Sequence, residues 1–150
     1  VFLISGGLTY EMAPKTWTGS SGDDTPALNW CSTVTTNIVG AVGTLIGTGR
    51  ANSTAMQSPA CATGAAVSAR AYSGGGFTDW FLPSKDELNA MYDYSQVGGF
   101  NTSTYGFASD VYWSSSQSTS TNAWLQHFVG GTAISDAKAY SLRVRPIRSF

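Results

Sequence analysis

Residues able to do chemistry are few in this chain, and they are scattered. Among 150 residues there is one histidine, His127, and one pair of cysteines, Cys31 and Cys61. The cysteines lack the close spacing and histidine partners of a zinc site. Ser114, Ser115 and Ser116 form a run of hydroxyls, but no Gly-x-Ser-x-Gly turn surrounds them and His127 is the only imidazole that could serve as a base. Asp23, Asp24, Asp110 and Asp136 could offer oxygens to calcium, yet no run repeats acids at the spacing of a dedicated loop. Arg143 and Arg145 fall on one face of an extended segment, where two guanidinium groups could hold a carboxylate or sulfate. The competing reading pairs them with the chain's own acids or backbone carbonyls, here Asp79, Asp86 or Glu87. Nothing here assembles a machine for making or breaking bonds. The expectation is a binding protein, not an enzyme, with no metal and no cofactor. Calcium at a low-charge site is the one alternative left open.

The surroundings of these residues point outside the cytosol. Only 11% of the chain is charged, and Ser, Thr, Gly and Asn supply the polar surface instead. An even cysteine pair in such a chain favours a Cys31–Cys61 disulfide; the alternative is two buried thiols in a reducing compartment. A net charge of -1 gives no field to gather nucleic acid. No apolar run approaches the roughly 20 residues of a membrane helix, so no membrane insertion is expected. The first residues, Val1 to Ile4, lie in an apolar run with no initiator Met and no basic stretch ahead, so no signal peptide is read. One domain over residues 1–150 is expected, as the C-terminal module of a longer protein.

The elements that must position these residues are legible in part. Val1 to Ile4, closed by Gly6-Gly7, reads as a strand and turn, and Leu8 to Thr18 as a second extended piece. Ser20 to Pro26 reads as a loop whose Asp23 and Asp24 are solvated. Between Cys31 and Ala71 the periodicity is weak, with a short helix expected within Ala62 to Tyr72. Asn52 and Asn101 head glycosylation triplets, which a chain rich in Ser and Thr produces by chance. The clearest element starts after Pro83: Ser84 is a cap, Glu87 completes a capping box, and Leu88, Met91 and Tyr92 make one apolar stripe ending before Gly98-Gly99. Strands are expected over Val111 to Ser115, Ala123 to Val129 and Tyr140 to Ile147, with a hairpin across Gly130-Gly131. Alternation puts Trp124, Gln126 and Phe128 on the core side, with Ala123, Leu125, His127 and Val129 outward. Trp80 and Trp113 are expected as core anchors.

Four blocks carry a family likeness: Asp79 to Leu88 (DWFLPSKDEL), Tyr112 to Ser116 (YWSSS), Ala123-Trp124 with Phe128 and Gly131, and Arg143-Val144-Arg145-Pro146. They resemble the Lcl C-terminal domain family, and Ala13 to Trp17 and Ile46 to Gly49 with Ala51-Asn52 look like its first half. The resemblance implies an α+β, C-type-lectin-like fold, with antiparallel sheets, one or two helices, and the first and last strands paired. It relates the chain to formylglycine-generating enzymes and to retroelement-diversified binding proteins. Members of the family look like terminal modules of bacterial and phage surface proteins, and at least one type binds sulfated sugars as a trimer on a collagen-like stalk. With Lys plus Arg at only 8, a broad sulfate-binding surface is not expected here. The oxidase chemistry of the kindred enzymes needs reactive cysteines late in the chain, whereas Cys31 and Cys61 lie early.

The expected function is therefore adhesion through a glycan or protein receptor, at a cell surface or on a phage tail fibre. The alternative is a self-associating subunit or cap of a filament, with a homotrimer compatible with either. The Ser/Thr/Asn-rich stretch Gln117 to Asn122 has the adaptable side chains of antibody contact loops. The expected ligand face is Tyr112, Gln117, Asn122, His127, Tyr140 and Arg143.

Overall fold

The computed structural model describes residues 1–150 as an α+β structure of three antiparallel sheets and three α-helices. Strands β1 (Leu3–Ser5) and β2 (Leu8–Met12) form a hairpin across Gly6-Gly7, both at positive φ. A two-residue turn with left-handed backbone at both positions matches the strands' own twist and fixes the β1–β2 register. Leu3 therefore faces Tyr10, and the final strand β8 (Ile147–Ser149) pairs with the other edge of β2, Met12 against Ile147. The expected pairing of the first strand with the last is thus corrected: both termini share a sheet, but β2 stands between them.

A second sheet joins β3 (Leu28–Asn29) to β7 (Ser141–Leu142). The third is a meander of β4 (Val111–Gln117), β5 (Asn122–His127) and β6 (Ala133–Ala137), its second turn at Gly130-Gly131. The strand expected over Tyr140 to Ile147 is split between sheets. Arg143 leaves the second sheet to bond with Val111 and Trp113, and Pro146, which has no N–H to donate, precedes the last strand.

Helices α1 (Gly49–Ala55) and α2 (Ala65–Ala71) occupy the weakly periodic stretch, and α3 (Lys85–Ser95) follows Pro83. At the start of α3, Ser84 Oγ accepts from Glu87 N at 3.3 Å and Glu87 Oε2 accepts from Ser84 N at 2.7 Å, completing the capping box. Ser84 Oγ also donates to Leu45 O, so this cap ties the helix to the preceding loop. Ser84→Ala is expected to lower stability by about 1 to 2 kcal/mol, read as a lower urea midpoint at unchanged slope.

The meander is covered on both faces, which corrects the expected alternation of β5. Ala123 and Leu125 are buried in the larger core with Trp30, Leu82 and Trp113, while the next residue, Gln126, is buried toward Asn89 of α3. Trp124, expected inside, is half-buried with the Lys85 ammonium over its ring. Phe128 joins a second core with Tyr10, Phe81, Leu88, Met91 and Tyr112. Trp80 and Trp113 are buried as expected, their indole N–H groups donating to Gly74 O and Leu28 O. Asn52 is buried and bonded to Gly43, so its triplet is not a surface site. Cys31 and Cys61 form a disulfide across 30 positions.

The loop before Pro26 holds the largest departure. Asp24, expected in water, is fully buried and grips Arg145 through two bonds of 2.6 Å. Arg143 instead pairs with Asp110, and Arg148 with Asp79 and Glu11. The arginines do satisfy the chain's own acids and backbone carbonyls, but Asp79 serves Arg148, neither Arg143 nor Arg145 uses Asp79, Asp86 or Glu87, and the two form no shared fork.

Candidate functional site

Beside the second sheet the surface opens into a cleft of about 650 Å³ lined by Trp17, Pro26, Leu28, Ser68, Tyr72 and Ser73, among others. Its floor is built by three segments distant in sequence. The β3 strand brings Leu28, the exposed side of α2 brings Ser68, and the chain after Pro14 brings Trp17. Trp17 is oriented by its indole N–H, which donates to Val144 O at 2.9 Å. The Tyr72 ring meets Trp17 edge-on at 5.7 Å and Trp80 at 5.1 Å, and it lies over Gly74, where a Cβ would collide with it. Burial, reinforced by nearby Tyr105, pushes the Tyr72 phenol above its ordinary range, so it stays neutral. Tyr72 and Gly74 also border a smaller cleft of about 260 Å³ that runs on past Phe77 and Tyr105.

The larger cleft contains no Asp, Glu, Lys, Arg or His. It can offer ring faces, apolar methylenes and a few hydroxyls, which is equipment for holding a neutral amphipathic ligand. Elsewhere, cations are already engaged. Each of the eight Lys and Arg side chains has a protein partner: Lys15 with Asp23, Arg50 with Ser149, Arg70 with Trp80 O, Lys85 with Trp124, Lys138 with Thr36 and Gln117, and the last three arginines as above.

The model of the Lcl C-terminal domain matches residues 16–148. The chain belongs to the Lcl C-terminal domain family. No curated protein matches it. Within this Lcl C-terminal domain, the six residues expected to face a ligand are not one surface. Tyr112 is buried, its hydroxyl donating to Asp24 at 2.7 Å, and burial together with that carboxylate raises its phenol far above the ordinary range. Gln117 is buried too: its Oε1 accepts from Ile38 N and from Lys138 Nζ, and its amide donates to Asn37. Neither can meet a ligand at the surface. Burial pulls the Lys138 ammonium down to about 8, and the carbonyls of Thr36 and Ser120 complete its shell. Arg143 is held by Asp110 and by Asp23 O. His127 faces Val111 across the β4–β5 pair beside this ion pair, Asn122 is half-buried at the start of β5, and Tyr140 is exposed in the turn before β7.

The calcium candidates are spent in similar ways. Asp24 serves Arg145, Asp110 serves Arg143, Asp23 serves Lys15, and Asp136 accepts its neighbour's N–H from Ala137. The serine run is structural: Ser114, Ser115 and Ser116 donate to Trp124 O, Pro83 O and Gly43 O. Sequence reasoning missed the cleft because Trp17 and Tyr72 lie in different segments with no shared period. The only hint was the excess of aromatics over the charges that normally cover a surface.

Proposed function

We propose that this domain is a non-enzymatic, extracellular binding module of a surface protein, with a C-type-lectin-like fold, that holds a neutral glycan in the Trp17–Tyr72 cleft. The observation that carries the reading is the lining itself: two half-buried aromatic rings with the hydroxyls of Thr18, Ser68 and Ser73 and no Asp, Glu, Lys, Arg or His. The C–H face of a sugar ring stacks on an electron-rich aromatic face, and its hydroxyls need partners of this kind. A sulfated ligand would need a cation beside it, and none of the eight Lys and Arg side chains lines the cleft. The disulfide supports an oxidising compartment, and the shared sheet of both chain ends is consistent with the proposed fold.

Ala71, exposed on the cleft rim at the end of α2, allows a clean test. Ala71→Arg should reduce binding of neutral glycans on an array at least about tenfold while leaving the melting temperature unchanged, because the new side chain enters the cleft and not the core. Asn122→Ala should leave binding as it is. Glycan binding that ignores Ala71→Arg, or that is confined to sulfated sugars, would count against this cleft as the site.

A further inference from the structure

The Trp17–Tyr72 cleft does not end at Tyr72. The smaller cleft of about 260 Å³ shares Tyr72 and Gly74 with it, and shares Glu11, Met12 and Tyr105 with a third hollow of about 140 Å³ that reaches Tyr94 and Phe100. Three hollows joined by common walls form one row. Segments distant in sequence assemble it: Glu11 and Met12 come from β2, Tyr72 follows α2, Tyr94 lies in the last turn of α3, and Tyr105 precedes β4.

Ring faces recur along the whole row. Beyond Trp17 and Tyr72 come Phe77, Tyr105 and Tyr94, which are 44%, 46% and 37% exposed. Several of these rings are held in place from behind. The buried Arg148 guanidinium lies 3.6 Å from the Phe77 ring, Phe100 meets Tyr94 edge-on at 5.1 Å, and Trp80 backs Tyr72 while its indole N–H donates to Gly74 O. Between the rings stand the hydroxyls of Ser68, Tyr72, Ser73, Tyr94 and Tyr105, none of which takes a protein partner. The buried hydroxyls of Ser53, Ser84, Ser115 and Ser116, by contrast, are all bonded. A peptide docks by pairing its backbone with a strand edge or by laying down a continuous apolar stripe. Alternating ring faces and open hydroxyls instead match a chain of sugar rings, each with an apolar C–H face and a polar rim.

Charge narrows the class further. Glu11 is the only Asp, Glu, Lys, Arg or His side chain in the row. Its Oε1 accepts from Arg148 Nη1 at 2.8 Å, and its Oε2 is left for a ligand donor. Arg148 lines none of the three hollows. A sugar hydroxyl in the middle hollow finds a carboxylate acceptor there, whereas a sulfate or uronate meets like charge with no cation on the wall. Resting on the glycan reading of the first cleft, we infer that the ligand is a linear neutral oligosaccharide spanning the row, with Tyr105 and Glu11 as specificity-determining residues beyond Tyr72. A second unit is held by the first at high effective concentration, so affinity rises with chain length.

The test is an array of neutral gluco-, manno- and galacto-oligosaccharides, from monosaccharide to hexasaccharide, with calorimetry on the series that binds. Affinity should climb with length. Tyr105→Ala should weaken the hexasaccharide about fivefold to tenfold and leave the shortest bound sugar unchanged. Its ring is half exposed, so circular dichroism and melting temperature should stay as they are. Glu11→Gln should admit chains carrying a uronate unit that the unmodified domain refuses, a change of selectivity that a merely structural role for Glu11 would not produce. Ala71→Arg, in the first cleft, should weaken short and long chains alike. Binding that depends on Ala71 but ignores both length and Tyr105→Ala would overturn the row and leave the first cleft standing as the site. Binding that ignores Ala71→Arg, or no neutral glycan bound at all, would overturn both.

Discussion

Asp24→Ala is expected to destabilise the protein by about 3 to 5 kcal/mol, because it leaves the Arg145 guanidinium buried without its anion. Both side chains are fully buried. Arg145 spends its donors on the two Asp24 oxygens and on the carbonyls of Ala13, Tyr105 and Gly106, with its plane near the Phe107 ring. Tyr112 adds a hydroxyl donor to the same carboxylate. Burial pushes the Asp24 carboxyl above its usual range, and the bonds to Arg145 and Tyr112 pull against that. One carboxylate thus fastens the loop before Pro26 to β4 and to the chain entering β8, and Arg145 carries the link on to the carbonyls before β4. Urea denaturation of Asp24→Ala measures the loss directly. The replacement of both partners, Asp24→Leu with Arg145→Met, should cost clearly less than Asp24→Ala alone, since the main penalty is an orphaned charge and not a missing attraction. A loss below about 1 kcal/mol in Asp24→Ala would mean that water reaches the guanidinium and that the pair is not sealed.

That same pair marks the boundary of what could be read from the chain. Local signals were legible where the physics is local. The capping box at Ser84 and Glu87 satisfies its own helix within four residues, and Gly6-Gly7 and Gly130-Gly131 announce turns by their backbone freedom. The paired cysteines and the buried tryptophans follow from composition and side-chain size. Asp24 and Arg145 lie 121 positions apart, and nothing near Asp24 distinguishes a buried carboxylate from a solvated turn residue. Gln117 was read as a contact residue for the same reason: its neighbours are Ser and Thr, but its amide is consumed by Ile38, Asn37 and Lys138. The split of the last expected strand depends on which sheet each half meets, a tertiary fact. The cleft was illegible because Trp17 and Tyr72 become neighbours only when β3, α2 and the chain end near Val144 are assembled.

The arrangement of charge then connects fold to proposed function. A chain with few ionic groups has used its arginines and lysines as internal fasteners, on carboxylates, carbonyls and ring faces. What the cleft offers for recognition is neutral: aromatic rings and hydroxyls. Such surfaces bind without steep dependence on salt, since no ion pair is formed or broken in the contact.

Removal of the Cys31–Cys61 bridge is expected to cost roughly 3 to 4 kcal/mol, the loop-closure entropy for a separation of this length. The closed loop contains α1 and the loop before it, so the bridge limits the freedom of the unfolded chain in the region with the weakest helical periodicity. Cys31→Ser/Cys61→Ser tests this by urea denaturation, with the unmodified protein unfolded in reductant as a second measure. The two measures should agree within about 1 kcal/mol if chain entropy dominates; a much larger loss in the serine variant would assign the excess to hydroxyls buried in the larger core. Both cysteines are buried in that core. Reductant should therefore act only through opening of the structure, so that the rate of reduction rises steeply with urea and is slow in its absence. Fast reduction in native buffer would show that the loop opens on its own and that the larger core does not seal the bridge.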